Sequence, residues 1–461
     1  MNRPSPINRR EFLASSTLAA AGIAAGSLAV PRIVRAASPQ PNTYRLAIAG
    51  SGWWGKNILR EAIASKACKV VGVCDVDAKM RKEGVAMARD MAGDEPKEYE
   101  DFREMLAKEK PDVLINGTPD HWHPLITIEA VKGGAHVYVE KPISHTIQEG
   151  RAMVNAARHA NRVVQVGTHR RVSPHNVSGR EFVRGGKAGK IGAVKCFVNY
   201  GGGGPERPEA NSEPPPGLNW DMWCGPGPLR PFNKRLHPKG FRGFLDYANG
   251  TLGDWGIHWM DQALWVLDRP YPVKVFSSGG RTIKGPPVNN GDGQTTDAPD
   301  HQYATWEFDD GLTVTWEHRQ FGANNQEKSH PQQPVGCYFD GTSGVFHQGW
   351  MDGWTFYPSD GRKKGEHQDA QLNKPDDQNI KELWADFLKC IKSGEKPVSD
   401  IEAIHRSTSM ALLGMLTLKL GRSIQWDGQK EICVTASGSP DEEANKLLRR
   451  EYRKPWVYPE S

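Results

Sequence analysis

YRLAIAGSGWWGKNILREAIA, residues 44–64, reads as a buried strand, a glycine turn and then a helix. The turn, Gly50-Ser51-Gly52-Trp53-Trp54-Gly55, is a complete G-x-G-x-x-G. In that spacing the first glycine permits the tight turn and the second lets a pyrophosphate approach the backbone. The third lets the helix pack on the strand. The helix start offers free N–H groups and a positive dipole end to phosphates. A second strand, CKVVGVCD (68–75), ends on Asp75, 20 residues after Gly55. An acidic side chain there accepts from both ribose hydroxyls and would meet a 2′-phosphate with like charge, so NAD is favoured over NADP. The next residues, Val76, Asp77 and Ala78, bring no arginine.

Outward from this unit the alternation continues. DFREMLAKEK (101–110) is helical, PDVLING (111–117) a strand, PLITIEAVKGG (124–134) helical and AHVYVE (135–140) a strand. TIQEGRAMVNAARHAN (146–161) is helical again, and RVVQVGT (162–168) is a sixth strand. Strands alternating with helices of this length predict a parallel sheet covered on both faces, with the nucleotide across the carboxyl ends of the strands. GTPDHWH (117–123) and EKPISH (140–145) sit at two such ends. Thr118, His123, Glu140 and Lys141 are therefore expected beside the nicotinamide half, and Gly50, Ser51, Gly52, Trp53, Trp54 and Asp75 around the rest of the dinucleotide.

The chain has 461 residues, too many for one ordinary core. Its 38% hydrophobic and 25% charged content describes a globular protein, and 49 glycines with 33 prolines imply long irregular loops. The formal charge of +5 is concentrated at one end. Residues 1–36 hold five arginines against Glu11, a balance of +4, which leaves +1 for the rest. Nucleic acid is not the natural partner of such a surface. The same end carries Arg9-Arg10-Glu11-Phe12-Leu13, a weakly apolar run and small residues near Ala36. The run is too poor in large apolar residues for a convincing membrane span. It predicts a twin-arginine secretory signal over 1–36 and export to the periplasm. Seven scattered cysteines without a C-x-x-C pair form neither a disulfide framework nor a structural zinc site.

After about residue 169 the pattern changes. AVKCFVNYG (193–201), VKVFSSGG (273–280), HQYATWEF (301–308) and LTVTWEHRQ (312–320) read as strands of an antiparallel sheet, the last two joined by a tight DDG turn. Two late helical patterns, IKELWADFLKCI (380–391) and IEAIHRSTSMALLGMLTLKL (401–420), should pack against that sheet or the first domain. Between the first two of those strand patterns lies GTLGDWGIHWMDQ (250–262). At about 100° per residue Asp254, His258 and Asp261 share one helix face, and Ile257, Met260 and Leu264 another. A metal-binding pair, a proton-handling pair, or a helix cap with a surface histidine would each fit. A metal would need a third ligand, nominally from His121 or His123, and no H-E-x-x-H or Cys/His cluster occurs.

The chain resembles the glucose–fructose oxidoreductase, inositol dehydrogenase and rhizopine-catabolism (Gfo/Idh/MocA) family. The resemblance rests on three signals in order: the G-x-G-x-x-G, Glu140-Lys141-Pro142 after the fifth strand, and the D-x-x-x-H of GDWGIHWMD. It extends from about residue 43 to about 425 and implies an α/β fold. That fold is an N-terminal Rossmann doubly wound parallel sheet, then an α/β domain with a large, mostly antiparallel open sheet often used for oligomer contact. The expected division is 1–36 signal, 43–168 NAD-binding domain, 169–437 substrate and oligomerisation domain, and 438–461 tail. The resemblance implies that Lys141 and His258 are catalytic, with Asp254 their partner and no metal. His123 and Glu140 would lie near the nicotinamide.

Chemistry supports those roles. Removing a hydride from a carbinol carbon requires a base for the hydroxyl proton, which suits histidine, while a lysine can stabilise the oxygen that becomes a carbonyl. Arg170 and Arg171 after the sixth strand could reach the substrate or the second domain, and Trp220 and Trp223 in NWDMWCGP fit either an aromatic wall for a sugar or core and loop packing. The expected activity is NAD-dependent hydride transfer at a secondary alcohol of a sugar, glycoside or cyclitol, with the cofactor tightly retained through export and a homo-oligomer built on the open sheet. The alternatives are an NAD-assisted glycoside hydrolase with transient oxidation and a non-catalytic sugar or nucleotide sensor.

Overall fold

The computed structural model describes residues 43–322 and 334–460; the proposed signal over 1–36 lies outside them. Six strands form the first sheet: β1 (Tyr44–Ala49), β2 (Cys68–Cys74), β3 (Lys97–Tyr99), β4 (Val113–Asn116), β5 (His136–Val139) and β6 (Val164–Val166). Their order is β3-β2-β1-β4-β5-β6, and every neighbouring pair is parallel. The strands are near-continuous apolar runs because helices cover both faces. The short β3, KEY, lies at the edge and carries no apolar run for periodicity to detect. The order reverses between β1 and β4, which opens a crevice at their carboxyl ends where dinucleotides bind.

The helices of this half are α1 (Trp53–Ala64), α2 (Ala78–Ala92), α3 (Phe102–Glu109), α4 (His123–Lys132) and α5 (Ile147–His159). Thr146 and Glu149 close a capping box at the start of α5. The chain then continues through α6 (Pro174–Arg184) and the long strand β7 (Ile191–Asn199).

The second sheet has ten strands among the described residues. β7 is followed by β9 (Lys274–Gly280), β11 (His301–Glu307), β12 (Thr313–Arg319), β13 (Val335–Gly341), β14 (Gly344–Gly349), β15 (Trp354–Pro358), β16 (Glu366–Gln368), β17 (Ile424–Asp427) and β18 (Ile432–Val434). A separate small ribbon pairs β8 (Glu209–Ala210) with β10 (Gly293–Gln294). The large sheet runs β16-β15-β14-β13-β7-β12-β11-β9-β17-β18 and is antiparallel except where β7 meets β12. β11 and β12 pair directly, as the DDG turn requires. Period-two alternation sends Ala304 and Trp306 into the core and leaves Tyr303 outside.

The core under this sheet is completed by α8 (Ile257–Leu267), which buries Trp259, Met260, Ala263 and Leu264, and by Met410, Leu413 and Leu416 from α10 (Ile401–Leu420). The preceding helix α9 (Ile380–Ser393) goes the other way: Ile380, Leu383, Trp384 and Phe387 pack with Tyr138 and Leu59 of the first half. A short helix α7 (Trp220–Cys224) anchors a satellite core of Trp220, Trp223, Phe232, Phe241, Phe244 and Tyr247. The last residues return to the first half. Arg450 and Tyr452 both bind Glu149 Oε1, at 2.9 and 2.7 Å, and Trp456 packs on Trp122.

Candidate active site

The glycine turn is held by contacts that only glycine allows. Gly50 has φ +83°, and a Cβ there would lie 2.6 Å from the Gly117 and Thr118 backbone. A Cβ on Gly55 would lie 2.0 Å from the Gly50 carbonyl oxygen. At Gly52, by contrast, a Cβ would meet nothing within 4 Å, and α1 begins there without a side-chain cap. This open cradle at an uncapped helix start fits the pyrophosphate of NAD. Ser51 is buried and turned inward: its amide donates to Asp75 Oδ2 at 2.8 Å and its hydroxyl to the Met80 carbonyl. Asp75 Oδ1 accepts from the Asp77 amide, and burial raises the carboxyl to about 6 against those two bonds. Arg81, which the sequence reading passed over, donates to the Asp75 carbonyl and is drawn toward Glu98 and Glu100, each 3.7 Å away. The two tryptophans diverge. Trp53 is 65% exposed beneath Lys239, whereas Trp54 turns in toward His169.

At the ends of β4 and β5 the loops are locked together. Thr118 Oγ1 donates to Asn116 Oδ1 at 2.7 Å. His123 lies between two carbonyl oxygens, Pro142 O on Nδ1 and Thr118 O on Nε2, both at 2.7 Å. Its ring is buried, which lowers its pKa to about 4. His123 thus sits between the loop after β4 and the loop after β5, with a carbonyl oxygen of each against its ring. Glu140 is buried against Gly167, where a Cβ would lie 2.1 Å from its Oε1, and burial raises its carboxyl to about 7.

From this corner Lys141 reaches into the second half. Its Nζ donates to Asp254 Oδ1 at 2.8 Å and to the Asp254 carbonyl at 2.9 Å. Arg242 Nε stands 2.8 Å from the same carboxylate oxygen. Burial opposes ionisation of Asp254, but Arg242 and Lys141 prevail and hold its carboxyl at about 2. Residues 252–256 form a widened π turn that runs into α8, so the regular helical spacing fails at this point. Asp254 faces the cleft without capping the helix, and His258 is only 6% exposed rather than on the surface. Burial, then the charges of Lys141, His169, Arg170 and Arg242, push the imidazole well below its ordinary pKa. His258 stays neutral, its Nδ1 without a hydrogen-bond partner among the described residues, beside Trp350, His169 and Trp255 at centroid distances of 4.9, 5.8 and 6.0 Å. Asp261 departs from the expected shared face. It is buried in a two-pronged pair with Arg171, at 2.7 and 2.9 Å, and accepts from Ser407. Among the described residues no group of three His, Cys, Asp or Glu is placed to hold a metal ion.

Two family models match the chain. One, the oxidoreductase family's NAD-binding Rossmann fold, covers residues 44–168, and the other, that family's C-terminal alpha/beta domain, covers 203–458. The chain belongs to the Gfo/Idh/MocA oxidoreductase family. D-glucoside 3-dehydrogenase of Escherichia coli K12 is 26% identical over 62% of this chain and 72% of its own length. A glycosyl hydrolase family 109 protein of Akkermansia muciniphila is 29% identical over 32% of this chain. The chain spans 37–39% of the length of the three family 109 proteins it matches first. Among solved structures, levoglucosan dehydrogenase in complex with NADH superposes with a TM-score of 0.62 at 17% identity, over 83% of this chain and 99% of that one.

In this Gfo/Idh/MocA chain the remaining candidates divide. Arg170 reaches the second half, one of its two expected destinations. It is buried over Trp259 and Trp350, 4.7 and 4.8 Å from the ring centroids, and donates to the Gly349 carbonyl. Trp220 offers no wall to a sugar, since its ring stacks on Trp223 at 4.7 Å and its indole N–H donates to the Arg230 carbonyl. The sequence reading missed Arg242, the two tryptophans beside His258, and Asp120. The last is a buried carboxyl raised to about 7 by desolvation, within the fields of Arg242, Asp254 and Lys141. A D in GTPDHWH was a visible signal for Asp120; nothing local marks Arg242. Beside Asp254 and Arg242 opens a cavity of about 180 Å³.

Proposed function

We propose that this protein is an NAD-dependent dehydrogenase acting on a secondary alcohol of a sugar, glycoside or cyclitol. One observation carries the reading: Lys141, at the carboxyl end of β5, meets Asp254 one turn before the neutral His258, in the same molecule as an open glycine cradle. When bound, NAD supplies the hydride acceptor. Lys141 Nζ donates to the reacting hydroxyl oxygen and stabilises negative charge as it develops there. The neutral His258 imidazole takes the hydroxyl proton. Asp254, itself held by Arg242, keeps the ammonium in place. Gly50, Gly52 and Gly55 shape the pyrophosphate cradle, and Asp75 at the end of β2 supports NAD over NADP. The sugar assignment is supported by the printed activities of D-glucoside 3-dehydrogenase and levoglucosan dehydrogenase. The test is a panel of sugars, glycosides and cyclitols added to the purified protein while nicotinamide absorbance is followed. Reduction by at least one alcohol is expected; no reduction by any would end the proposal.

The family 109 matches favour a second reading, a glycoside hydrolase that oxidises its substrate transiently. It is distinguished by its product, a hydrolysed sugar with no net oxidation. The arginine pair at residues 9 and 10 and the run that follows support export by the twin-arginine route with the cofactor carried inside. Purified protein should then retain bound nucleotide. The outer face of the large sheet, with Phe276 and Tyr303 exposed, supports a homo-oligomer, which sedimentation would test.

A further inference from the structure

The cavity beside Asp254 is lined by residues that the proposed hydride transfer does not use. Its near wall is Asp254 with Arg242, and its sides are the rings of Trp255 and Tyr200, edge to face at 6.0 Å. Gln320 Nε2 donates to Thr251 Oγ1 at 2.8 Å in its lining, and Lys284 is a further lining residue. Arg242 has Asp254 as a close ion-pair partner, its Nε 2.8 Å from Oδ1. Lys284 has no such partner: among the described residues no carboxylate lies within 4.0 Å of its Nζ. The two acids near it are already engaged. Glu206 is paired with Arg281 at 3.1 Å and Arg235 at 2.8 Å, and Asp300 accepts from His301 and from the Ile283 and Lys284 amides. Burial works against the Lys284 charge and lowers its pKa. A half-desolvated ammonium facing a cavity, with its neighbouring acids taken, is a seat for an anion.

We infer that Lys284 is a specificity residue that binds a carboxylate on the sugar, so that the substrate is an acidic sugar of the uronate class. Its reacting hydroxyl lies at the Asp254 end, and its carboxylate at the Lys284 end. The inference rests on the dehydrogenase reading of the same site. A single unpaired ammonium balances one negative charge, which fits a carboxylate better than a dianionic phosphate. The cavity is smaller than the ~300–1,000 Å³ of sites for drug-sized ligands, so it takes one ring rather than an oligosaccharide. The Trp255 and Tyr200 rings supply apolar faces for the ring's C–H groups, and Gln320 and Thr251 supply polar contacts for its hydroxyls.

The test uses the full chain loaded with NAD and two probes, methyl glucoside and methyl glucuronide, which differ only in a primary alcohol against a carboxylate. Binding is read from tryptophan fluorescence, independently of turnover. The glucuronide is expected to bind about tenfold or more tighter than the glucoside, as for a charge-assisted hydrogen bond. K284M and K284Q should bring that ratio to about one, and K284R should keep most of it; two neutral variants guard against one that fails to fold. Equal binding by the unmodified protein, or a ratio that survives K284M and K284Q, overturns the inference. Tighter binding of glucose 6-phosphate than of the glucuronide also overturns it. A Lys284-dependent preference for the glucuronide, with no alcohol reducing the nicotinamide, would uphold the subsite and overturn the dehydrogenase reading.

Discussion

Lys141 Nζ and Asp254 Oδ1 lie 2.8 Å apart although 113 positions separate them along the chain. The first ends a parallel strand and the second sits in a π turn under the other sheet. Their contact joins the cofactor-binding half to the half that carries His258. Replacing Lys141 by Met should lower the rate of nicotinamide reduction by about 100-fold or more, the usual scale of a lost proton-handling group. Asp254→Asn should do so as well, because the ammonium loses its anchor. If the pair acts as a unit, the double variant should be barely slower than either single one, which steady-state kinetics would measure.

Gly52 and Gly55 should respond differently to substitution. Gly55→Ala drives a Cβ into the Gly50 carbonyl and should lower the melting temperature even without cofactor. Gly52→Val has room in the protein itself and should leave the cofactor-free melt unchanged, while abolishing the stabilisation that NAD confers. Thermal melts with and without NAD separate the two effects. Equal damage to the cofactor-free melts would refute the cradle assignment.

Arg171 and Asp261 form a buried pair that carries no chemistry. Arg171→Met alone leaves an uncompensated carboxylate and should cost about 3–5 kcal/mol in urea unfolding. Arg171→Met combined with Asp261→Leu should recover most of that loss, since a buried ion pair replaced by apolar groups is often neutral.

Acid stability should be governed by buried histidines. Burial holds His121 and His169 at about 3, and His123, His318 and His347 at about 4, with His258 also well below its ordinary value. Each binds a proton in the unfolded chain below about pH 6.5 but not in the folded one, so each removes about 1.4 kcal/mol per pH unit as pH falls. Asp75, Asp120 and Glu140, raised to about 6, 7 and 7 by burial, act with the opposite sign: they favour the folded state as pH falls toward the ordinary carboxyl range. The six histidines outnumber the three carboxyls. Net stability should therefore fall between pH 6 and 4, as circular dichroism would record, and a flat profile there would contradict the neutral state of these buried histidines as a group.

Much of the architecture could be read along the chain. The apolar runs of β1, β2, β4, β5 and β6, the glycine turn and the late helices are local patterns, and each formed where its pattern lies. The three residues of β3 escaped because an edge strand needs no apolar run. The strands β13 to β16 escaped because they carry short mixed segments whose pairing comes from neighbours already in the sheet. The places of Asp261 and Trp220 stayed open for a related reason. Helical phase and residue type say which side a group leaves from, not whether Arg171 or Trp223 waits there.

The sequence by itself determined the cradle and the element order, because steric demands at Gly50 and Gly55 and the periods of strand and helix act over a few neighbouring residues. Only the tertiary structure decided that Arg242 would hold Asp254, that His123 would sit between two loops, and that Lys284 would line a cavity with no carboxylate within ion-pair distance among the described residues. Such pairings are set by desolvation and charge between residues tens to hundreds of positions apart, and energies of that kind leave no periodic mark on the chain.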